Sequence, residues 1–437
     1  MSIKISVIMP SLNVAPYIRQ CLESVMNQTL QEIEILCVDA GSTDGTREIL
    51  MEYAAREARI RLLDSPVRSY GYQVNMGIDV AKGKYIGVVE TDDFVVQEMF
   101  AYLYDLAEKY DAEVAHADRF FVQNSGEVQI SHIFDKRHQG LYFQKKDNVS
   151  MLSTHLSDTN IWDAIYRREF LHQHHIRCNE SRGAAYQDIG FLQQVHTLAR
   201  SFVYSDRPLY YYRVDRPGSS SSQLRHLSYV QQEWQFLEEG EITNSDQWLL
   251  HREAIYARLQ QCFIWELKRT IQLRVPKKKW LQEAEWLRER IQMLTREGIR
   301  GEKYLTCEEQ KMLFLVMKSL SRFANYVQTE QYFVDRQIKL ILQWSEHGVL
   351  IFGSGIRGKN VLKLLRDNDR KIIGFFDNDS SLWGKTIERV SVYPPEEIPT
   401  RLGEGDVIIC NKYYWEEILD QIQTMGIPAE RVHVYRP

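Results

Sequence analysis

The sequence predicts an α/β protein in three parts, with a helical region between two α/β domains. Over residues 1–222, short apolar runs alternate with single amphipathic helices, which is the pattern of βαβ units. Over residues 223–345, apolar residues recur every three or four positions with few glycines, which predicts long helices. Over residues 346–437, the alternation returns behind a glycine-rich turn. We therefore expect domain boundaries near 222 and 345.

The N-terminal domain is expected to contain four short apolar strands separated by single helices. The predicted strands cover residues 3–9, 34–38, 60–64 and 84–89, with Pro10 ending the first, and the predicted helices cover residues 17–28, 47–53, 73–81 and 94–110. Strands connected in this way lie parallel in one sheet. Because parallel sheets bind ligands beyond the carboxyl ends of their strands, the segments that follow these strands are the candidate binding segments.

The middle region is predicted to hold long helices over residues 229–240, 247–272, 277–295 and 306–344. One segment in it is strongly basic and carries two tryptophans: Trp265, Lys268, Arg269, Arg274, Lys277, Lys278, Lys279 and Trp280. A solvated helix face explains such a segment, and so does a surface that lies on anionic lipid. The apolar faces of the same helices are compatible with a homo-oligomer and equally with packing on the N-terminal domain.

Length and composition exclude several classes of protein. The 437 residues exceed what one core supports, and 44% hydrophobic with 26% charged residues is typical of globular domains. A net charge of -5 argues against nucleic acid as a partner. Six scattered cysteines predict free thiols in a reducing compartment. The N-terminus does not resemble a signal peptide, so we expect a cytoplasmic protein, with peripheral contact at the inner face of the membrane left open.

The most informative segment is Glu90-Thr91-Asp92-Asp93, at the end of the fourth predicted strand. Carboxylate oxygens held close together on a rigid strand end are the ligands that a hard divalent cation prefers, so such a cation is expected to bind here. The alternative is a polar turn in which Asp92 or Asp93 caps the helix that follows. Residues 10–13 and 39–42 also follow strands and are expected to converge with the acidic segment on one crevice.

The C-terminal domain carries a glycine fingerprint in the context of a dinucleotide-binding turn. Gly353, Gly355 and Gly358 lie after an apolar strand and before a helix, and Asp377 follows near the position of a ribose-binding acid. These residues predict a Rossmann-like unit with a candidate nucleotide site. The alternative is a structural or docking domain in which the glycines only allow close packing of helix on strand.

Several N-terminal segments together resemble glycosyltransferase family 2. The resemblance lies in SVIMPSLN at 6–13, EILCVDAGSTDGT at 34–46, NMGI at 75–78, AKGKYI at 81–86 and ETDD at 90–93, with more distant echoes at 162–171, 187–191, 208–213 and the serine run 219–222. It implies a GT-A-type domain that transfers a sugar, with inversion, from a UDP-sugar to an acceptor hydroxyl. A glycan, lipid-linked oligosaccharide or glycoprotein is the expected acceptor.

The resemblance also implies roles for individual residues. It gives donor binding to Pro10, Asn13, Asp39, Asn75 and Asp92, binding of a Mn²⁺ or Mg²⁺ cofactor to Asp93 with Glu90, and general-base catalysis to Asp188. Trp162 and Asp163 belong to a segment that borders the acceptor side in this family.

Four residues depart from the family pattern. Glu90 and Ala40 stand where Asp is usual, Val74 where Arg is common, and Gln187 where Glu precedes the base. These changes leave open a second hypothesis: a catalytically impaired nucleotide-sugar-binding or assembly protein whose C-terminal domain senses a nucleotide or docks a partner. Retention of Asp92, Asp93 and Asp188 favours the enzyme.

Overall fold

The computed structural model describes residues 2–123, 126–134, 139–150, 152, 154–214, 226–345, 347–411 and 413–435. The chain divides into two units, Met1–Phe323 and Ala324–Pro437. The boundaries expected near 222 and 345 fall on residues 215–225 and 346, which lie outside the described residues, as does the serine run 219–222. The helical region as far as Phe323 belongs to the first unit.

One mixed sheet forms the framework of the first unit. Its described strands are β1 Ile5–Ser11, β2 Ile33–Asp39, β3 Ile60–Asp64, β4 Tyr85–Val88, β5 Phe94–Val95, β6 Val114–Val122, β7 Val128–Ser131, β8 Ala164–Arg167 and β9 Phe202–Arg213. The strand order is β3-β2-β1-β4-β8-β6-β9-β5, with β7 on β6. The pairs β3-β2, β2-β1 and β1-β4 are parallel, as the alternation predicts. β8 lies antiparallel between β4 and β6.

Helices pack on this sheet and continue beyond it. They are α1 Ala15–Met26, α2 Thr46–Ala54, α3 Tyr70–Val80, α4 Met99–Tyr110, α5 Thr154–Ser157, α6 Arg168–Gln173, α7 Gln187–Leu198, α8 Leu227–Glu239, α9 Trp248–Gln272, α10 Leu281–Arg296, α11 Cys307–Lys318 and α12 Leu320–Trp344. Every residue of β1 and β2 is buried, because helices cover both faces of the centre of a doubly wound sheet. The core therefore fixes the carboxyl ends of these strands.

Three predicted elements differ from the structure. β1 continues through Pro10 to Ser11, which is tolerated because β4 pairs with β1 only as far as Ile8. The helix expected from Phe94 begins at Met99, after the short strand β5, so neither Asp92 nor Asp93 is its N-cap. The helix predicted over 306–344 is two helices, because Ser319 adopts an extended conformation between α11 and α12.

The second unit contains a parallel sheet with one antiparallel edge strand. Its strands are β10 Val349–Phe352, β11 Ile372–Phe376, β12 Thr386–Ile387, β13 Val390–Tyr393, β14 Asp406–Ile409 and β15 Val432–Val434, and its helices after α12 are α13 Ile356–Arg366, α14 Ile398–Arg401 and α15 Trp415–Thr424. The order is β12-β13-β11-β10-β14-β15, so the direction of winding reverses between β10 and β14. This is a doubly wound arrangement with its reversal beside β10, and the glycine turn follows β10.

Other sequence expectations concern single side chains. Five of the six cysteines are buried, Cys307 is exposed, and all are free thiols. Of the two tryptophans in the basic segment, Trp280 is buried and Trp265 is 47% exposed. Among the described residues, no helix combines the length and the apolar character needed to span a bilayer.

Candidate active site

The carboxyl ends of the central strands are tied together by hydrogen bonds between their loops. The Thr91 hydroxyl donates to the Pro10 carbonyl at 2.8 Å, which joins the acidic segment to the end of β1. The Ala40 N–H donates to the Ser11 carbonyl at 3.0 Å, which joins the end of β2 to the same strand. The three segments expected to share one crevice therefore lie side by side.

Asp39 and Asn13 brace the loop that follows β2. Asp39 is buried, and its carboxylate accepts from the Ser42 hydroxyl at 2.5 Å and from the Gly41 N–H at 3.3 Å. Asn13 has a left-handed backbone, with φ of 53°, and its side-chain oxygen accepts from the Thr43 N–H at 2.9 Å. Both residues stand at the crevice where a nucleoside was predicted to bind, and their donor-binding roles stay predictions.

Glu90, Asp92 and Asp93 form a compact carboxylate cluster. One oxygen of each lies within 4.8 Å of the others. Asp93 is fully buried, and burial raises the pKa of Asp93 well above its usual range, with the charges of Asp92 and Glu90 raising it further. Bringing three carboxylates together without a cation is costly, and an oxygen-ligated divalent cation would relieve the repulsion. The donor set therefore fits Mn²⁺ or Mg²⁺.

Two residues that the sequence did not single out hold Asp93 in place. The Tyr210 hydroxyl donates to Asp93 Oδ2 at 3.1 Å and accepts from the Glu90 N–H at 3.0 Å. The Arg213 N–H donates to Asp93 Oδ1 at 2.8 Å, and its guanidinium donates to the Asp92 carbonyl at 2.7 Å. Both residues lie at the end of β9, more than a hundred positions away in the chain. The sequence signal was the segment 208–213, which the family resemblance contained without a role.

Trp162 and Asp163 are buried at the start of β8. The Trp162 ring stacks on Tyr210, with centroids 4.2 Å apart, and on Tyr212 at 5.1 Å. The Asp163 carboxylate accepts from Arg119 at 2.7 Å. Both side chains contact protein groups, and Trp162 supports the tyrosine that binds Asp93. Their predicted place on the acceptor side stays a prediction.

Asp188 lies in the first turn of α7, and that turn borders the acidic cluster through Tyr70. Burial raises the pKa of the Tyr70 hydroxyl, and the nearby carboxylates of Glu90 and Asp188 raise it further. The backbone of α3 is joined to the loop before α7, since the Tyr70 N–H donates to the Gly183 carbonyl at 2.9 Å. Tyr70 thus lies near both Glu90 and Asp188, which almost a hundred residues separate in sequence.

Gln187 has a structural reason to replace the usual glutamate. Its buried amide nitrogen donates to the carbonyls of Ser181 at 3.1 Å and Gly183 at 3.2 Å, and its oxygen accepts from the Ala185 N–H at 2.6 Å. A carboxylate has no N–H to offer these carbonyls. The amide therefore organises the loop that leads into the Asp188 turn.

The side chain of Asn75 forms hydrogen bonds with other residues of the protein. Its side chain donates to the Cys178 carbonyl at 2.9 Å and to Glu180 at 3.0 Å, and accepts from the Cys178 N–H at 2.9 Å. These bonds join α3 to the segment before α7. The predicted donor contact of Asn75 stays a prediction, and its described bonds position that segment.

The glycine turn of the second unit is closed by Asp377. Gly353 has φ of 101°, and a side chain at Gly358 would place its Cβ 1.9 Å from the Gly353 carbonyl oxygen. Asp377 accepts from the N–H and the hydroxyl of Ser354, at 2.9 and 2.6 Å. Gly353 is therefore explained by its backbone conformation and Gly358 by packing, and the nucleotide site predicted at Gly353, Gly355, Gly358 and Asp377 stays a prediction.

A second cluster, of histidine and aspartate, lies inside the first unit. His116 Nε2 and His196 Nε2 are each 3.1 Å from Asp158 Oδ2, and His116 Nδ1 is 3.5 Å from Asp163. Burial lowers the pKa of His116, but the two carboxylates more than offset it and hold that pKa above its usual value. Asp163 is also paired with Arg119. Two carboxylates, two imidazoles and the Arg119 guanidinium thus meet in the core.

Comparison with known proteins agrees with this architecture. Residues 6–174 match the model of "Glycosyl transferase family 2", and residues 345–433 match "C2185-like, N-terminal". Glycosyltransferase GlyG of Streptococcus pneumoniae is 30% identical over 228 residues, which cover 50% of this chain and 73% of GlyG. The uncharacterized glycosyltransferase EpsJ of Bacillus subtilis is 31% identical over 49% of this chain and 62% of EpsJ.

Solved structures show the same fold. The crystal structure of Staphylococcus aureus TarS 1–349 in complex with UDP-GlcNAc superposes with a TM-score of 0.58 at 18% identity, over 75% of this chain and 92% of that one. The first unit is therefore a GT-A-type domain with its mixed sheet and crevice. The chain belongs to glycosyltransferase family 2.

Proposed function

We propose that this protein is an inverting glycosyltransferase that moves a sugar from a UDP-sugar to an acceptor hydroxyl. The observation that supports the proposal is the joining of the loops after β1, β2 and β4, which carry Asp39 and the carboxylate cluster at 90–93, with the segment before α7 bonded to α3. Crevices at this edge of a parallel sheet are where nucleotides bind. TarS, which shares the fold, has been crystallised with UDP-GlcNAc and with UDP.

The donor is bound through groups of different character. Asp39 accepts from the N3–H of uracil, with Pro10 and Asn13 beside the base and ribose. Asp92, less buried than its neighbour, faces the ribose. Asp93 and Glu90 hold the divalent cation. When bound, that cation offsets negative charge on the departing diphosphate as a Lewis acid.

Asp188 is the general base of the proposed reaction. The acceptor oxygen attacks the anomeric carbon from the face opposite the diphosphate, and its proton passes to the Asp188 carboxylate. The bond between the anomeric carbon and the diphosphate oxygen breaks, and UDP leaves. Base catalysis of this kind contributes ~100- to 10,000-fold.

The test is UDP release from UDP-glucose, UDP-galactose and their N-acetyl forms, with and without Mn²⁺. We expect one of these donors to be hydrolysed slowly in a metal-dependent reaction, and Asp93→Ala and Asp188→Ala to lose that activity. Asp147→Ala, which changes an exposed carboxylate of the same unit, is the matched control. The proposal fails if no UDP-sugar is bound or turned over and both active-site variants match the parent.

The acceptor is proposed to be a glycan, a lipid-linked oligosaccharide or a glycoprotein. Because the chain covers 62% of EpsJ, activities of the full relatives carry over only as proposals. Peripheral contact with a membrane is part of the same proposal, and its support is the exposed basic segment that ends α9, where Leu273 is 54% exposed. Sedimentation with vesicles of phosphatidylglycerol, compared with phosphatidylcholine, tests that contact.

A further inference from the structure

The helical region contributes two buried glutamates to the turn that carries Asp188. α7 packs against both α8 and α9. Glu233, on α8, is 1% exposed, and Glu266, on α9, is 2% exposed. Burying a carboxyl group is expensive unless its surroundings stabilise it, so two such groups at one helix end call for an explanation. Neither residue lies in the segment matched by the family model, which ends at 174.

Glu266 anchors the residue that begins the turn. Tyr186 precedes α7 with a left-handed backbone, φ of 71°, which is an unfavourable conformation for a residue with a bulky side chain. Its hydroxyl donates to Glu266 Oε2 at 2.8 Å. Such backbone conformations persist where the surrounding structure enforces them, and they cluster at functional sites. The bond between Tyr186 and Glu266 therefore holds the turn from one side.

Glu233 packs against the other end of the same turn. A Cβ at Gly190 would lie 2.4 Å from Glu233 Oε2, so the carboxyl group occupies the space that a side chain would need. Neither carboxyl oxygen forms a well-aligned hydrogen bond with the described residues, although the Asn179 amide and the Gly190 N–H approach it. Burial raises the pKa of Glu233 well above its usual range, and Asp188 raises it further. Glu233 therefore fills the space beside Gly190 and fixes the end of the turn that follows Asp188.

We propose that Glu233 and Glu266 are positioning residues for Asp188, fixing the two ends of the turn 186–190 against the helical region. This inference rests on the proposed function, in which Asp188 is the base. A base works only when its oxygen is held within hydrogen-bond reach of the acceptor, and buried groups behind it decide that position. The helical region is then part of the catalytic architecture.

The experiment compares shape-conserving with disruptive substitutions in the full chain, measuring kcat and KM for UDP release and the Kd for UDP. Glu266→Leu and Tyr186→Phe should each lower kcat about tenfold, which is a fraction of what a general base contributes. Both variants should keep KM and the Kd for UDP within about twofold of the parent's values. The double variant should have a kcat no lower than that of either single variant, since both substitutions break the same contact between Tyr186 and Glu266. Glu266→Gln keeps an acceptor oxygen and should recover most of kcat.

Glu233 is tested in the same way. Glu233→Gln conserves the shape of the side chain and should keep kcat within about threefold, whereas Glu233→Ala releases Gly190 and should lower kcat about tenfold. The matched control is Glu238→Ala, on the same helix, because Glu238 binds Trp234 and Arg290 away from α7. It should lower the Tm and leave kcat within about twofold.

The outcomes separate the two proposals. If Glu233→Ala and Glu266→Leu lower only the Tm, as is expected of Glu238→Ala, then Glu233 and Glu266 have a structural role alone and the inference is overturned. If Asp188→Asn has the parent's kcat, the assignment of the base fails, whatever the glutamate variants do. UDP binding, measured in parallel, shows in either case that the donor site is intact.

Discussion

At the scale of single residues, Asp93 is held in a position where its ionisation is unfavourable without a cation. Its side chain is buried, Asp92 and Glu90 lie beside it, and the groups that bind it are one hydroxyl and one backbone N–H. Natural proteins keep such a carboxylate where its charge is used. The position of Asp93 favours a bound cation, and the same position destabilises the folded protein when no cation is bound.

The first prediction concerns Asp93→Asn. Because the folded-state pKa of Asp93 is raised above its unfolded value, its ionisation lowers the free energy of unfolding as pH rises through that interval. Without metal, the variant should therefore melt above the parent at pH 7, by a margin that shrinks toward pH 4. Mn²⁺ should raise the Tm of the parent and not that of the variant. UDP release should fall about 100-fold or more, since metal contributions are several kcal/mol.

Differential scanning fluorimetry at several pH values checks the stability half of this prediction. A variant that melts below the parent at pH 7 in chelator would show that Asp93 is a stabilising residue and not a strained ligand. Equal responses of parent and variant to Mn²⁺ would remove Asp93 from the metal site.

The second prediction concerns Tyr210→Phe. The substitution keeps the ring on Trp162 but removes the hydroxyl that joins Asp93 to the Glu90 N–H. Leaving these groups without that partner should cost about 1–3 kcal/mol of unfolding free energy. The Kd for Mn²⁺ should rise about tenfold, as it does when groups that orient metal ligands are removed.

The neighbouring Tyr211→Phe is the control for Tyr210→Phe. The Tyr211 ring stacks on Phe94 and Phe120, and its hydroxyl makes no hydrogen bond with the described residues. Calorimetric titration with Mn²⁺ should give this control the parent's affinity. If both tyrosine variants bind Mn²⁺ as the parent does, the hydroxyl of Tyr210 has no part in organising the cluster.

At the scale of elements, the glycine turn after β10 separates a packing role from a binding role. Gly358→Ala would place a methyl group against the Gly353 carbonyl, whereas nothing lies within 4 Å of a Cβ at Gly355. We predict that Gly358→Ala lowers the unfolding free energy by about 1–3 kcal/mol or more and that Gly355→Ala changes it little. Denaturant unfolding of the full chain measures both.

The same pair of variants addresses the nucleotide site. A loss of affinity for NAD or a UDP-sugar in Gly355→Ala, without loss of stability, would support a ligand at this turn. Equal stability of the two variants would contradict the packing explanation of Gly358.

Two element-scale errors have identifiable causes. The sequence from Phe94 is compatible with a helix, yet residues 94–95 pair with β9, next to the contacts of Tyr210 and Arg213 with Asp93. The helix predicted over 306–344 has continuous apolar periodicity, but an extended Ser319 interrupts it. The periodicity of a sequence shows which residues are apolar, but it does not show which strand or helix those residues pack against.

At the scale of the whole molecule, surface charge and internal charge are organised separately. The net charge of -5 gives no indication of the buried pairs among His116, Asp158, Asp163 and Arg119. Burial raises the pKa of Asp158, but His116, His196 and Arg119 together lower it more, to about 2. These pairs join β6, the segment before β8 and α7, and so connect the sheet to the helix that carries Asp188.

The fourth prediction follows from this cluster. The folded-state pKa of His116 lies above its ordinary value of 6.5, so its stabilising effect is present below that pH and is lost as pH rises through the raised pKa. Asp158→Asn should cost about 3–5 kcal/mol, because it breaks a buried pair. The cost should be largest near pH 6 and smaller at pH 9.

Urea unfolding of parent and variant across this pH range measures the difference. Asp206→Asn, at an exposed position on β9, is the control and should show a small cost that does not vary with pH. A cost for Asp158→Asn that is constant with pH would show that His116 stays neutral in the folded protein.

The sequence by itself determined the fold class, the family and the strand-end segments. Apolar runs, helical spacing and the motifs at 6–13, 34–46 and 90–93 are local, so they are legible without knowing which residues meet. The acidic segment could be located for the same reason, and its alternative as a helix cap was left to the structure.

Only the tertiary structure decided what surrounds those segments. Tyr210 and Arg213 reach Asp93 across more than a hundred residues, and Glu233 and Glu266 reach the Asp188 turn from helices that no motif marks. Such contacts depend on sheet order and helix packing, which place distant residues together by burial of apolar faces and not by any local pattern. The sequence thus located the groups proposed to carry the chemistry, and the packed chain determined which other groups hold them.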